Sequence, residues 1–403
     1  MTTDTTAPTE PDGRTTSGRL PLSALLALAT AVFITSLTET LPAGVLPAMS
    51  AGLGVSESAA GQTVTVYALG TALTAIPLTA ATETWRRKKL LLTAMSGFAV
   101  ANTVTAVSTN FPLTMAARFV AGVAAGVAWA LLAGYARRMA PAHLRGKAIA
   151  IAMAGIPVAL SLGVPAGTFI GKVLSWQVAF WTMTALTVLL LAWIVAAVPD
   201  YPGRRAAAGT RMLSALSVPG VRPVLVVTFV FVLAHTILYT YVATFLEHVG
   251  MGRSTDIVLL VFGGASLVSI WAVGALINRR LRALTVLSTL LVGVAGALLA
   301  VWAESPLLVY AAVVLWGLGW GGVPTLLQTA AGDAGGETAA DAAQAMLVTL
   351  WNLAMAGGGV AGGVLLGLFG TASFPWSVLL LMVPVLLVVL AARSHGFPTQ
   401  RSS

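Results

Sequence analysis

The sequence predicts an all-α integral membrane protein in which twelve transmembrane helices form two pseudo-symmetric bundles of six. Three observations predict this fold class. Of the 403 residues, 58% are hydrophobic and only 9% are charged, and the mean hydropathy is +0.91. Apolar runs of roughly 20 residues, the length that crosses a bilayer, recur along nearly the whole chain. The same landmark residues return in the second half of the chain at a constant separation.

The apolar runs predict helices, because a bilayer offers unpaired backbone groups no partner and outer-membrane strands would alternate in polarity. The predicted spans of the first half are residues 22–48, 59–80, 88–107, 112–135, 147–169 and 177–198. Those of the second half are 223–246, 257–277, 283–302, 306–328, 343–368 and 374–392. The predicted domains are a disordered tail at 1–20, bundles at 21–198 and 223–393, a polar linker at 199–222 and a second tail at 394–403.

The net charge of +9 follows membrane topology and not the pattern of a nucleic-acid-binding surface. Basic residues cluster in alternate loops: Arg86, Arg87, Lys88, Lys89, Arg137, Arg138, Arg145, Lys147, Arg204, Arg205, Arg211, Arg222, Arg279, Arg280 and Arg282. The loops between them hold only Lys172 and Arg253. Since cytoplasmic loops carry the excess of Lys and Arg, both termini are predicted to be cytoplasmic. The predicted loop Asp333–Asp341 departs from this pattern because its charges are purely acidic.

A separation of 195 residues relates the two halves. It joins Glu83 to Asn278, Gly122 and Gly126 to Gly317 and Gly321, Leu131 and Leu132 to Leu326 and Leu327, and Gly163 and Gly167 to Gly358 and Gly362. A single match is expected by chance in a chain with 41 glycines, but four features at one separation indicate an internal duplication. Two parallel six-helix repeats are a plan of secondary transporters that bind substrate at mid-membrane between the halves. The alternative is a polytopic protein of merely repetitive composition.

Three ionisable residues fall inside predicted spans, where a charge is costly and therefore points to function. Glu39 lies in the outer part of span one, Arg118 near the start of span four and His235 near the middle of span seven. Symmetry places His235 at the depth of Glu39, and both side chains can exchange protons as water access alternates. The alternatives are a helix cap or interhelical hydrogen bond for Glu39, a bond to a hydroxyl such as that of Tyr239 for His235, and a guanidinium that reaches the cytoplasmic headgroups for Arg118.

Other candidate residues are grouped by the role that their position suggests. Hydrogen-bonding and aromatic side chains within spans are the candidate substrate-cavity residues: Gln62, Tyr67, Trp129, Tyr239, Gln328, Trp351 and Asn352. The loops after spans two and eight hold candidate gating residues, although plain topology signals explain them equally well: Glu83, Arg86, Arg87, Lys88, Asn278, Arg279 and Arg282. In span five, Gly163, Pro165 and Gly167 predict a kinked, closely packed helix at the interface between the halves.

Signals of catalysis are weak in this sequence. The string Gly171-Lys172-Val173 lacks the upstream glycine and the Ser or Thr of a phosphate-binding loop, so drive by ATP is not expected. The four histidines show no metal-binding spacing, and the chain has no cysteine for thiol or thiolate-metal chemistry. We therefore expect neither an enzyme nor a bound metal or cofactor.

Several motifs resemble the major facilitator superfamily, specifically its twelve-span drug:proton antiporters and their sugar efflux group. TETLPAGVLP (Thr38 to Pro47) is similar to the first-span TEF...GLLP motif, and RFVAGVAAG (Arg118 to Gly126) to the fourth-span RxxxG motif. GALINRRLR (Gly274 to Arg282) resembles the loop motif GxLaDRxGRR with Asn278 in place of the acid. LGVPAGTFIG (Leu162 to Gly171) departs from the usual antiporter GPxxGG but resembles sugar efflux members.

This resemblance implies a proton-coupled antiporter that exports a sugar, drug or secondary metabolite by alternating access, with Glu39 at the acidic position and Arg118 in proton transfer. It implies a monomer in a bacterial cytoplasmic membrane whose partners are the solute, protons and lipid, and whose energy source is the proton gradient. A proton-coupled uptake symporter is the first alternative, and a non-transporting membrane sensor is the second. The identity of the solute stays open at this point.

Overall fold

The computed structural model describes residues 20–203 and 216–398, and within these ranges the secondary structure is helical. The first six helices are α1 Leu22–Leu53, α2 Glu57–Ala81, α3 Arg87–Val107, α4 Phe111–Arg138, α5 Arg145–Val173 and α6 Trp176–Ala197. Helix α7, Val221–Thr240, continues after a one-residue break as Val242–His248. The last helices are α10 Pro306–Gly336, α11 Ala342–Phe369 and α12 Ser373–Ala391.

Helices α8 and α9 are the two parts of one 48-residue helix, Thr255–Trp302, that bends at Arg280. The backbone of Arg280 is non-helical (φ −136°, ψ 31°), so α8 covers residues 255–279 and α9 covers residues 281–302. Short 3-10 turns at Ala142–Leu144 and Gly252–Ser254 lead into α5 and α8. The twelve predicted spans are thus confirmed within the described residues.

The hydropathy of individual helices explains why α2 is the least obvious span. Ten described stretches are long and apolar enough to cross a membrane, and one of them, Gly252–Trp302, crosses twice because of its bend. Helix α2 is the remaining span, and its Thr and Gly residues lower its hydropathy. Its N-terminus is fixed by Ser56, whose hydroxyl accepts a hydrogen bond from the Ala59 N–H, an N-cap.

The acidic segment Asp333–Asp341, predicted as a loop, is helical apart from one residue. Only Gly336 breaks the continuous helix Val323–Phe369, with φ 56° and ψ −160°, a conformation open to glycine alone. Alanine-rich sequence on both sides favours helix, so α10 runs about two turns further than predicted. The linker arginines Arg204, Arg205 and Arg211, most of the N-terminal tail and the last five residues lie outside the described residues.

The two halves repeat the same helix packing, which confirms the duplication. In the first half, α4 approaches α2 so closely that a Cβ at Gly122 would overlap the Tyr67 carbonyl oxygen. In the second half, a Cβ at Gly317 of α10 would overlap the Phe262 carbonyl oxygen of α8. Tyr67 and Phe262 are themselves 195 residues apart. Glycine is required at both positions because any side chain would separate the paired backbones.

The halves meet away from their basic loops. We call the end of the bundle that carries the loops before α3, after α4 and before α9 the basic end, and the other end the opposite end. Helix α2 packs on α11, and α5 packs on α8, with the Ser161 backbone against Gly263. The contacts of Ser58 and Gln62 with α11 lie in the first turns of α2, so they close the opposite end.

Helix α5 is kinked as predicted, but its glycines pack differently. A π-helical turn occupies Ala159–Gly163, between Pro157 and Pro165, where the prolines remove backbone donors. Gly163 and Gly167 face side chains of α1 in the same half, and not the second half. Helix α5 contacts α8 through the π-helical turn and the helical segment that follows it, and the Ser161 backbone of the turn lies against Gly263.

Candidate functional site

Arg118 is the most deeply buried charged residue of the candidate site, with a relative exposure of 0%. Its guanidinium lies over the Tyr67 ring, 4.9 Å from the ring centre, and its Nε donates a long 3.4 Å hydrogen bond to the Thr63 carbonyl. The two terminal guanidinium nitrogens have no hydrogen-bond partner among the described residues. A buried, under-bonded guanidinium is costly unless a counter-charge lies near it. The predicted alternative that Arg118 reaches the headgroups is wrong, because the side chain is fully enclosed.

Glu39 of α1 supplies the counter-charge. Its carboxylate interacts electrostatically with Arg118 and with the hydroxyls of Tyr67 and Tyr239. The side chain is half-buried, and no hydrogen bond to it occurs among the described residues, so it is neither a cap nor part of an interhelical hydrogen bond. Tyr67 holds its place by donating to the Thr35 carbonyl at 3.1 Å. The structure therefore places the Glu39 carboxylate near enough to Arg118 for an electrostatic interaction, although the two side chains form no salt bridge among the described residues.

His235 belongs to a separate aromatic cluster in the second half. Its ring stacks on Trp320 with centroids 3.4 Å apart and planes 5° from parallel. Trp316 donates from Nε1 to His235 Nδ1 at 3.1 Å. We define the aromatic cluster by its rings: His235, Tyr239, Phe262, Trp316, Trp320 and Trp351.

The Trp316 bond fixes the tautomer of His235 in this structure. An indole N–H is only a donor, so Nδ1 must be unprotonated and the ring is neutral with its proton on Nε2. The sequence analysis named the hydroxyl of Tyr239 as a partner of His235. The Tyr239 ring stacks beside the imidazole, and its hydroxyl has no hydrogen-bond partner among the described residues. Sequence reasoning missed Trp316 and Trp320, although their spacing of four residues places both indoles on one face of α10.

The candidate cavity residues divide into four groups. Tyr67 and Tyr239 belong to the charged pair and the aromatic cluster, and Gln62 lies at the closing contact between the halves. Trp351 packs on Trp320, 5.6 Å between centroids. Trp129, Gln328 and Asn352 stay partly or fully accessible although they lie within spanning helices. Polar side chains of this kind are typical of helices that border a water-filled space.

Several hydrogen bonds lie at the opposite end of the bundle, where the halves are closed against each other. Tyr241 donates to the Gly359 carbonyl at 3.0 Å, and Ser58 donates to the Gly363 carbonyl at 2.9 Å. Gln62 donates to the same Gly359 oxygen at 3.2 Å. The Ser58 and Gln62 bonds join α2 to α11 across the interface between the halves, and Gln62 also donates to the Tyr241 hydroxyl at 3.3 Å. The Tyr241 bond to Gly359 lies within the second half.

An ion pair between the halves also closes the opposite end. Lys172 at the end of α5 contacts both carboxylate oxygens of Asp256 at the start of α8, each at 2.8 Å. The side chains are 39% and 11% exposed, so the pair is only partly screened by solvent. Sequence analysis treated Lys172 only as a minority charge in an outer loop and did not identify Asp256, because no pattern links two residues so far apart.

The candidate gating residues bind within their own halves. Lys88 donates from Nζ to the Val195 carbonyl near the end of α6, and Arg282 donates to the Leu390 carbonyl near the end of α12. The predicted contact of basic loops with helix C-termini is thus present in both halves. Arg86 pairs with Asp200 just after α6, and Arg87 donates to the Glu83 carbonyl. Asn278 and Arg279 are exposed.

Together these features define a membrane protein of two six-helix halves that are closed against each other at one end, with a buried arginine near a half-buried carboxylate and an aromatic cluster inside. The family model described as Major Facilitator Superfamily matches residues 28–359. The chain therefore belongs to the Major Facilitator Superfamily, and it is a multi-pass membrane transporter and not an enzyme. The predicted superfamily is confirmed.

The chain is also similar to named relatives and, in fold, to solved structures. The chain is 28% identical over 388 residues to the transcription regulatory protein OpdE of Pseudomonas aeruginosa, covering 93% of this chain and 94% of that protein. It is 27% identical over 358 residues to the purine ribonucleoside efflux pump NepI of Salmonella paratyphi C, covering 87% and 89%. The nucleoside transporter NupG shares the fold with a TM-score of 0.74 at 13% identity, covering 94% of this chain and 100% of that one. The human organic anion transporter MFSD10 does so with a TM-score of 0.67 at 17% identity, covering 92% and 99%.

Proposed function

We propose that the chain is a proton-coupled efflux transporter whose proton site is the Glu39–Arg118 pair. The observation that carries the proposal is the fully buried guanidinium with two unbonded nitrogens beside a half-buried carboxylate. Protonation of Glu39 removes the counter-charge of Arg118, so the preferred arrangement of α1 and α4 depends on whether a proton is bound. This dependence is what couples a proton to a conformational change.

The alternation proceeds by rocking of the two halves about the central site. The state described here is closed at the opposite end by the Lys172–Asp256 pair, by the bonds of Ser58 and Gln62 to α11 and by the bond of Gln62 to Tyr241. With the basic end in the cytoplasm, as the distribution of Lys and Arg indicates, this state loads solute from inside. A bacterial cytoplasmic membrane and a monomeric transporter fit this arrangement.

The exported solute that fits best is a small molecule with a planar ring. Rings stack on aromatic faces, and the aromatic cluster includes Trp351, which is partly exposed and packs on Trp320. Accessible amide groups at Gln328 and Asn352 can bond hydroxyl groups. A relative that exports purine ribonucleosides makes a nucleoside the first solute to test. Sugars, drugs and secondary metabolites follow as the wider class.

Glu39→Gln in proteoliposomes tests the coupling. With labelled inosine as the probe, we expect flux driven by a pH gradient to fall to the level of empty liposomes, because an amide cannot exchange the proton. The matched control is Glu304→Gln, which neutralises an exposed acid outside the candidate site and should keep full flux. Undiminished coupled flux in the Glu39 variant would contradict the proposal.

The same assay separates the alternatives. Inosine that moves toward the acidified compartment indicates exchange against protons, and inosine that moves with protons indicates an uptake symporter. The similarity to OpdE, named as a transcription regulatory protein, favours a regulatory role as the second candidate. A regulator that does not transport predicts no flux for inosine or for any solute in a screen of cells with and without the gene.

A further inference from the structure

The cavity at the basic end of the second half is separate from the candidate transport site. Its volume is about 550 Å³, and it lies where α8 bends into α9. Its lining includes Arg279, Arg280 and Arg282 together with apolar side chains such as Leu287 and Leu290. The cavity therefore has three arginines next to a surface of apolar side chains, which we call the apolar wall. None of the described residues that line the cavity is acidic.

The apolar wall belongs to the lipid-facing surface of α9. Leu287 is 51% exposed and Leu290 is 45% exposed, one turn apart on the same face of the helix. Exposed leucines in a membrane-spanning helix contact acyl chains. The arginines above them lie at the level of the headgroups, because they are at the end of the span. The cavity thus changes from cationic to apolar in the same direction as a phospholipid changes from headgroup to tail.

The first half shows how the equivalent loop neutralises its charge. There Arg86 pairs with Asp200, and the same carboxylate accepts a hydrogen bond from the Lys88 backbone N–H. Partial burial raises the pKa of Asp200, but these hydrogen bonds outweigh burial, and the pKa lies below its ordinary value. Asp200 therefore stays ionised and offsets the basic loop.

The second half lacks this counter-charge at the equivalent position. The residue 195 positions after Asp200 is His395, whose side chain has no carboxylate. Arg282 is held by the carbonyls of Leu390 and Phe397, which are uncharged. Arg279 and Arg280 are exposed and have no ion pair among the described side chains. The second half therefore has the basic loop but no carboxylate at the position equivalent to Asp200.

We propose that this cavity binds an anionic phospholipid from the leaflet at the basic end, with Arg279 and Arg280 on the phosphate and Leu287 and Leu290 against an acyl chain. Basic pockets beside transmembrane helices recognise anionic headgroups, and each cation near the surface contributes about 1 kcal/mol. The site lies at the hinge between α8 and α9. A bound lipid therefore contacts the helix whose other end carries Asp256 of the closing ion pair.

Native mass spectrometry of the full chain in detergent, titrated with phosphatidylglycerol, tests the proposal. We expect the double variant R279Q/R280Q to raise the apparent Kd for phosphatidylglycerol roughly 30-fold, the equivalent of about 1 kcal/mol per cation. The matched control K88Q/K89Q removes two charges from the equivalent loop of the first half and should change Kd by less than about threefold. Equal loss in both double variants, or loss in neither, would overturn the site.

Three further measurements identify the ligand and show that lost binding does not come from misfolding. Glycerophosphoglycerol, the same headgroup without acyl chains, should compete poorly, and competition as strong as that of the lipid would show a site for soluble anions. The charge-retaining variant R279K/R280K should keep most of the binding, and L287Q/L290Q should lose binding with the arginines intact. Retained lipid in L287Q/L290Q would contradict the acyl contact.

Discussion

The two halves share the same helix packing, but the first has charged residues at its centre and the second has aromatic residues. In the first half, α4 carries Arg118, which interacts with Glu39, and the small residues Ala121 and Ala125 follow it. In the second half, the residues 195 positions later are Trp316 and Trp320 of α10, whose rings fill the space around His235. Small residues therefore make a site for a buried charge, and large ones make a surface for a ring.

The comparison suggests a division of labour after duplication. A charge pair responds to protons but offers little surface for a solute, and an aromatic cluster offers surface but little response to protons. Each half keeps the helix contacts that the scaffold needs, such as Gly122 against Tyr67 and Gly317 against Phe262. The residues between those contacts were free to diverge. The next four predictions test this comparison, from the largest expected effect to the smallest.

Arg118→Gln should lower the free energy of unfolding by about 3–5 kcal/mol, the cost of breaking a buried charge pair. Glu39 would then lack its cation, and the Tyr67 ring would lose its contact. Arg118→Lys keeps the charge and should lose less. Chemical unfolding in detergent, followed by tryptophan fluorescence, measures both. If Arg118→Gln lowers the free energy of unfolding by less than about 1 kcal/mol, Glu39 and Arg118 are not energetically coupled. The first half would then have no special charge interaction in its interior.

Gly122→Ala and Gly317→Ala should each cost about 1–3 kcal/mol, because the new methyl group overlaps the backbone of α2 or α8. Gly134→Ala is the control on α4, since a Cβ there meets nothing within 4 Å. It should be neutral or slightly stabilising. The same unfolding measurement applies. Different costs at the two symmetric glycines would show that the shared scaffold has diverged as well as the site.

Trp316→Phe should cost about 1–2 kcal/mol, because it removes the N–H that bonds His235 Nδ1 while keeping an aromatic ring. Nitrogen-15 spectra of histidine-labelled protein should show a changed Nδ1 signal, and the four histidines keep the assignment simple. Trp302→Phe, at an exposed indole on α9, is the control. An unchanged Nδ1 signal in the Trp316 variant would place His235 outside the cluster in solution.

Lys172→Gln should have the smallest effect, about 1 kcal/mol, because partly exposed ion pairs contribute little. The expected result is a roughly fivefold shift toward the state open at the opposite end. Distances between spin labels on cysteines introduced at that end would report the shift, and the chain has no native cysteine to interfere. Lys89→Gln, at the other end, should not change the distances. Equal populations in wild type and Lys172→Gln would show that the hydrogen bonds alone hold the closure.

The sequence by itself determined the helices, their number and their pairing into halves. Hydrophobic length specifies a span, and a constant separation of glycines specifies a repeated contact, so both are local or periodic properties. It also selected Glu39 and Arg118, because a charge within a span is rare. It failed for Asp333–Asp341, where acidic composition suggested a loop although the alanines favoured helix.

Only the tertiary structure decided which residues meet. Trp316 donates to His235 from 81 positions away, and Lys172 reaches Asp256 across 84 positions. Tyr241 bonds a carbonyl of Gly359, which has no side chain to mark it. Such contacts arise from the rotation and tilt of helices against one another, and hydrophobicity does not encode these because every face of a buried span is apolar.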